Sequence, residues 1–156
     1  MEFIPYKAHE CFEHLYYQIP MELFFNKKYK DNLNSDSKIL YGFLLNRLTL
    51  SAKNNWIDEN GNVFLIFTRK EVQERLDLSD KTVTKAFKQL KDCKLIHEKR
   101  QGANKPNLIY VRKIDHDEDL IKLIRKNYES RIVKSTTQDT ENLQSNYNNN
   151  NYNNKV

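Results

Sequence analysis

Residues 68–90 read TRKEVQERLDLSDKTVTKAFKQL and contain the clearest secondary-structure pattern of the chain. Thr68 and Glu71 form a capping box, in which each side chain can accept a hydrogen bond from the other residue's free backbone N–H, so a helix should begin here. Leu78 and Ser79 interrupt that helix, and Ser79 is a favourable N-cap for a second one. The stretch therefore predicts two short helices joined by a tight turn.

The second of these helices has one apolar face and one basic face. Its apolar side chains recur three and four residues apart, which is the spacing of a single helical face. They are Val83, Ala86, Phe87 and Leu90. Roughly opposite lie Lys81, Lys85 and Lys88, with Thr84 at the margin. The apolar face predicts a small core shared with Val72 and Leu76 of the first helix, so that the basic face is presented rigidly outward.

Upstream of this stretch the sequence predicts a longer helix and a hairpin. Ser35 is the expected N-cap of a helix from Asp36 to Thr49 or slightly beyond, because apolar residues then follow at helical spacing. Asn60-Gly61 lies between two apolar runs, which is a hairpin signal. The run after the hairpin, Val63–Phe67, consists of five apolar residues and is expected to form a buried strand.

Downstream, Leu95–Gln101 and Leu108–Lys113 are expected to form two strands. The loop between them, residues 102–107, contains Gly, Pro and two Asn residues, a composition typical of turns. A helix, a hairpin strand, two helices joined by a turn and two further strands make a winged helix-turn-helix. The expected fold class is therefore α+β, with residues 102–107 as the wing.

Four segments of the chain differ in composition. Residues 1–34 are rich in aromatic residues and are broken by prolines, so we expect an N-terminal extension that packs on the domain or mediates dimerisation. Residues 35–114 hold the predicted winged helix-turn-helix, and residues 115–134 hold a short helix. Residues 135–156 contain ten Asn or Gln residues and no hydrophobic period, so we expect a disordered Asn-rich tail or linker.

A local excess of positive charge indicates a polyanionic partner. Ten basic and three acidic residues lie between Ser79 and Lys113, and a basic helix-turn-helix fits double-stranded DNA. The start of the second helix would enter the major groove, while the loop would lie along the backbone or the minor groove. The residues expected to contact DNA are Ser79, Lys81, Thr82, Thr84, Lys85, Lys88, Arg100, Asn104, Lys105 and Asn107. Each also has an ordinary structural role open to it, as a helix cap or a solvated side chain.

No catalytic or metal-binding pattern competes with this interpretation. His9, Cys11 and His14 lie close together, but a zinc site needs three or four ligands and no Cys-x-x-Cys pair anchors this group. Phosphate-binding and nucleophile motifs are absent, and three glycines in the chain leave little room for a phosphate-cradling loop. We therefore expect neither an enzyme nor a bound metal or cofactor. The lack of a long apolar run or a signal peptide favours a cytoplasmic protein without membrane contact.

Four separated blocks of the sequence resemble one known family. They are Tyr17-Gln18-Ile19-Pro20 with Leu23-Phe24, Ser37-Lys38-Ile39-Leu40-Tyr41, Asn55-Trp56-Ile57-Asp58-Glu59-Asn60-Gly61 and Ile66-Phe67-Thr68-Arg69. In this order, between Tyr17 and Lys113, they are similar to the RepA N-terminal domain family, whose members are replication initiators of plasmids from low-GC Gram-positive bacteria. The resemblance implies a dimeric winged-helix domain that binds repeated double-stranded DNA sites at a plasmid origin.

The resemblance also implies partners outside this chain. Members of the family usually continue into a linker and a smaller C-terminal domain that engages host replication proteins, so this chain resembles an N-terminal portion. Two other functions remain open on the residues alone. A transcriptional regulator can share the fold, and a winged helix can serve protein interaction without touching DNA. The aromatic segment before Ser35 favours the initiator over the regulator, and the basic helix face argues against the protein-interaction role.

Overall fold

The computed structural model describes residues 1, 3–7 and 15–129 of the chain. In chain order its elements are α1 (Glu22–Phe25), α2 (Lys27–Lys30), α3 (Ser35–Lys53), β1 (Leu65–Ile66), α4 (Arg69–Leu76), α5 (Asp80–Asp92), β2 (Ile96–Lys99) and β3 (Leu108–Val111), followed by α6 over residues 118–129. The three strands form an antiparallel sheet in the order β1-β3-β2. This arrangement is a winged helix-turn-helix, as the sequence predicts. The expected tail at residues 135–156 lies outside the described residues.

Helix α3 begins one residue earlier than expected and continues further. Its N-cap is Asn34, whose side-chain Oδ1 accepts a hydrogen bond from the backbone N–H of Ser37 at 2.9 Å. The prediction of Ser35 as the N-cap is wrong because Asn34 caps a helix as well as serine does and comes first. The helix then runs to Lys53 and ends just before Asn55, which adopts a positive φ of 56°. Its length allows it to pack against α5, β1 and β3.

The apolar run Val63–Phe67 forms a shorter strand than the sequence predicts. Strand β1 holds two residues that pair with β3. The residues before it belong to a tight hairpin instead, because the backbone N–H of Phe64 donates to the Trp56 carbonyl at 3.1 Å. That hairpin turns at the predicted Asn60-Gly61, where Gly61 has a φ of 82°. Only Leu65 of the run is fully buried, so the prediction of a wholly buried strand is wrong.

The core lies between α3, α5 and one face of the sheet. Its fully buried side chains include Tyr41, Phe43, Leu44, Leu65, Val72, Val83, Phe87, Leu90 and Ile109. The apolar face predicted for α5 is therefore confirmed as the buried face, while Leu76 of α4 is half-buried at the edge. The Tyr41 hydroxyl donates to the Arg112 carbonyl at 2.9 Å, and burial raises the pKa of Tyr41 to about 12.

Part of the N-terminal extension packs on the domain, which is one of the two roles expected for it. Leu23, Tyr29 and Leu33 are buried in the same core as α3 and α5. Lys28 Nζ donates to Asp115 Oδ2 at 2.7 Å, an interaction that raises the pKa of Lys28 and lowers the pKa of Asp115. The extension is thereby attached both to the core and to the segment that follows β3. Its role in dimerisation stays a prediction.

Gly42 allows the N-terminal extension to lie close against α3. A Cβ at this position would lie 2.8 Å from Ile19 Cγ1 and 3.1 Å from the Gln18 carbonyl oxygen. Alanine gains up to about 1 kcal/mol of helix propensity over glycine, but overpacking of this kind costs about 1–3 kcal/mol. We therefore expect Gly42→Ala to lower the free energy of unfolding by about 1 kcal/mol in urea denaturation, since the clash outweighs the propensity.

An Ile19→Ala background is the matched control for this prediction. Removing the Ile19 side chain removes the nearest clashing atom, so Gly42→Ala should cost less there than in the wild-type chain. A Gly42→Ala variant that is more stable than wild type would mean that the extension does not dock against α3.

Candidate nucleic-acid interface

The first helix of the helix-turn-helix begins at the capping box predicted from the sequence. Thr68 Oγ1 accepts a hydrogen bond from the Glu71 backbone N–H at 3.1 Å, and Glu71 Oε2 accepts one from the Thr68 backbone N–H at 2.7 Å. The second of these bonds stabilises the carboxylate and lowers the pKa of Glu71. Both bonds fix the residue at which α4 starts, and therefore where its first turn lies relative to α5.

The turn between α4 and α5 is held by backbone and side-chain hydrogen bonds. Asp77 ends α4 in the left-handed conformation with a φ of 52°. Ser79 is the N-cap of α5, and its Oγ accepts a hydrogen bond from the Thr82 backbone N–H at 3.3 Å. The Gln73 side-chain amide donates to Asp80 Oδ1 at 3.1 Å across the turn. The two helices are thus held at a defined angle by local contacts.

The outer face of α5 carries the basic residues that the sequence predicts. Exposed on this face are Lys81, Thr84, Lys85 and Lys88, whereas Thr82 is half-buried. The Ser79 and Thr82 hydroxyls lie 2.9 Å apart at the helix start, so the Thr82 hydroxyl is bonded to the residue that caps the helix. Their contact with DNA stays a prediction, as does that of the basic residues.

The lysines of this face differ in how far their charge is already balanced. Lys88 Nζ lies 2.6 Å from Asp92 Oδ2 in an exposed pair one turn apart, and such pairs are weak. Lys81 and Lys85 form no ion pair with any other described residue. The lysines of α5 without an ion pair to a described residue therefore lie in its first two turns.

Strand β2 ends at Lys99, two residues before the predicted end of the strand at Gln101, so the wing is the loop of residues 100–107 between β2 and β3. The Gln101 side-chain amide donates to the Pro106 carbonyl at 2.8 Å and closes the loop. Its tip turns at Gly102 and Asn104, both with positive φ. Of the four wing residues expected to contact DNA, Arg100, Asn104 and Lys105 are exposed and Asn107 is half-buried. No acidic residue occurs in the loop, so its two cations present positive charge outward.

The sequence did not predict that a largely buried acidic residue, Glu98, would lie next to this surface. Glu98 on β2 pairs through Oε1 with Arg69 of α4 at 2.7 Å and through Oε2 with Lys91 of α5 at 2.9 Å. The Arg69 guanidinium also lies over the Phe87 ring, 3.4 Å from its centroid. Two features of the sequence could have indicated this role: Glu98 is the only acidic residue between Asp92 and Asp115, and it lies two residues after the apolar Ile96, on the same face of the strand.

Asp58 and Cys93, which lie outside this surface, have perturbed pKa values with structural explanations. Asp58 accepts the Asn62 backbone N–H in the hairpin turn, which lowers the pKa of Asp58. Burial raises the pKa of the Cys93 thiol at the end of α5. Residues 1, 3–7 and 15–129 contain no group of three or more His, Cys, Asp or Glu side chains that could hold a metal ion. The sequence cluster of His9, Cys11 and His14 lies outside these residues.

No helix in the part of the chain that the structure describes is both long enough and apolar enough to cross a membrane.

Comparison with known proteins gives consistent matches over most of the chain. The family model described as "Replication initiator protein A (RepA) N-terminus" matches residues 15–125. A curated relative, the "41 kDa protein" of Lactobacillus helveticus, is 32% identical over 118 residues, which is 72% of this chain and 33% of the relative. The chain thus spans about a third of the length of that relative.

Three solved structures share the fold at appreciable sequence identity. "N-Terminal domain of DNA binding protein" is 35% identical with a TM-score of 0.69, covering 83% of this chain and 98% of its own. "Structure of Rep-DNA complex" is also 35% identical with a TM-score of 0.69, covering 81% and 97%. "Structure of MDR initiator" is 36% identical with a TM-score of 0.66, covering 80% and 98%. The similarity extends beyond the winged helix alone, because each match covers about four fifths of the chain.

Proposed function

This chain belongs to the family of replication initiator protein A N-termini, and on that premise we propose that it is a plasmid replication initiator domain that binds double-stranded DNA. The observation that carries the proposal is the combination of an outward basic face on α5 with a basic, acid-free wing loop. A solved relative of the same fold is named as a Rep-DNA complex, which supports the same partner.

In this proposal each half of the surface has a distinct task. The first turns of α5 enter the major groove, which is about 12 Å wide and admits a helix. There Lys81, Thr84 and Lys85 reach base edges or phosphates, and the free amides at the helix start favour phosphate. The wing brings Arg100 and Lys105 to the neighbouring backbone or minor groove. The helix thereby reads sequence and the wing adds affinity.

We propose further that the domain acts as a homodimer on repeated sites at a plasmid origin. The exposed aromatic side chains of Phe24 and Phe25 on α1 support an additional contact surface in the N-terminal extension. Two copies placed on adjacent half-sites would lie about 34 Å apart, one helical turn of DNA. Sedimentation at micromolar concentration should show a dimer, alone or on DNA. A monomer under both conditions would contradict the dimer and leave DNA binding untouched.

Nuclease footprinting on the replicon that encodes the chain tests the function directly. We expect protection of several copies of one short sequence, clustered at an origin. Protection of a single palindrome at a promoter would support a winged-helix transcriptional regulator instead. No protection at any salt concentration would leave the basic face as a solvated surface and overturn the proposal.

The same proposal includes no catalytic step. Glu71, Asp58 and Glu98 have structural roles, and burial raises the pKa of the Cys93 thiol, which makes it a poorer nucleophile. The domain would act in the cytoplasm, without metal or cofactor, by binding alone. Recruitment of host replication proteins would belong to a further part of a longer protein, as the length of the curated relative supports.

A further inference from the structure

Glu98 lies where the wing meets both helices of the helix-turn-helix. Its side chain is 10% exposed, and each carboxylate oxygen has its own cationic partner. Arg69 comes from the first turn of α4, and Lys91 comes from the last turn of α5. A single carboxylate on β2 therefore connects the two helices to the strand that leads into the wing.

The contact between Arg69 and Phe87 gives this connection a fixed platform. The guanidinium lies 3.4 Å from the centroid of the Phe87 ring, and Phe87 is fully buried in the core. Stacking on the ring and pairing with Glu98 together restrict the Arg69 side chain to one orientation. Without the carboxylate, Arg69 and Lys91 would be two neighbouring cations with no negative charge between them, and they would repel each other.

We propose that Glu98 is a positioning residue for DNA recognition, which sets the wing relative to α5 through Arg69 and Lys91. The inference rests on the proposed DNA-binding function. A duplex that must contact α5 and the wing at once is bound best when the two surfaces are already in register, because no freedom is then lost on binding. Glu98 acts without touching the DNA, and its negative charge by itself opposes binding.

Because the negative charge of Glu98 by itself opposes DNA binding, the direction in which its removal changes DNA affinity tests the proposal. Glu98→Gln and Asp92→Asn each remove one negative charge beside the basic surface. Asp92 is 60% exposed and pairs with Lys88 on the same helix, so its loss frees a lysine and disturbs no connection between elements. If charge alone decided affinity, both variants would bind DNA more tightly, because both lose a charge that repels phosphate.

The probes are a duplex selected by the wild-type chain from a random pool and a scrambled duplex of the same length and composition. We expect Asp92→Asn to bind both duplexes as tightly as wild type or more tightly. Glu98→Gln should bind the selected duplex about tenfold more weakly while holding the scrambled duplex at least as tightly. The measured quantity is the ratio of the two affinities, obtained from fluorescence anisotropy across a salt series.

Two further measurements separate positioning from a loss of folding. Binding is measured well below the thermal midpoint of each variant, with the active fraction set by stoichiometric titration, so a change in stability alone leaves the ratio unchanged. Glu98→Asp keeps the charge on a shorter side chain and should give a ratio between those of wild type and Glu98→Gln. If Glu98→Gln and Asp92→Asn shift the ratio alike, the inference is overturned while the proposed function stands. A wild-type chain that selects no duplex from the random pool would overturn both.

Discussion

Replacing Phe87 with alanine is expected to lower the free energy of unfolding by about 3–5 kcal/mol, the usual cost of deleting a buried phenyl ring. Phe87 is fully buried at the centre of the inward face of α5. Its ring also supports the Arg69 guanidinium at 3.4 Å. The substitution therefore removes core packing and the platform under Arg69 together. Because a domain of this size has a total stability of about 5–15 kcal/mol, the variant should be close to unfolding at growth temperature.

Urea denaturation followed by far-UV circular dichroism measures this loss. The matched control is Phe87→Leu, which keeps an apolar side chain of related volume and should cost no more than about 1.5 kcal/mol. If Phe87→Ala unfolds at nearly the same urea concentration as wild type, the inward face of α5 is not the core of the domain.

The elements that could be predicted from the sequence are those set by local interactions. The capping box at Thr68, the N-cap at Ser79 and the spacing of apolar residues along α5 each depend on residues within a few positions of one another. A helix also hydrogen-bonds within itself, so its existence follows from its own residues. The resemblance to the RepA N-terminal domain family, which the family match over residues 15–125 confirms, could be recognised for the same reason, since its blocks are short local patterns that occur in a fixed order.

The elements that could not be predicted depend on choices between distant or competing partners. Strand β1 is short because the backbone N–H of Phe64 bonds to Trp56, so Phe64 does not pair with the sheet. A run of apolar residues does not show which backbone partner each residue will have. The start of α3 was a choice between two adjacent capping residues. Helix α3 also continues beyond its clearest apolar pattern to Lys53, and in residues 49–53 only Ser51 is buried, so no apolar spacing marks where the helix ends.

The same division holds for the candidate interface. The basic face of α5 follows from helical spacing, and the wing follows from turn-forming residues in the loop. Glu98 pairs with Arg69, which lies 29 positions before it in the sequence, and with Lys91, which lies seven positions before it. No local sequence pattern predicts these two ion pairs. The pairing of Lys88 with Asp92 could have been found from its spacing of four residues, which places both side chains on the same side of the helix.

Lys85→Ala is expected to weaken binding to a selected duplex by about 1–3 kcal/mol, with little effect on a scrambled one, if this lysine reads a guanine edge. Lys85 is exposed on the outer face of α5, one turn from the helix start, and opposite the buried Val83 and Phe87. It forms no ion pair within the described residues, so its charge is available to a ligand. A rigid helix behind it allows the side chain to distinguish one base pair from another.

Lys105→Ala should act differently, because in the proposed complex the wing loop contacts the DNA backbone and carries no rigid helix. We expect it to weaken binding to both duplexes to a similar degree and to lower the slope of log affinity against log salt by about one unit, the effect of one lost phosphate contact. Lys122→Ala on α6 is the matched control, since it removes the same charge from outside α5 and the wing. Anisotropy titrations on both duplexes across a salt series separate the three variants. If Lys85→Ala and Lys105→Ala bind like Lys122→Ala at every salt concentration, neither half of the basic surface contacts DNA and the proposed function fails with it.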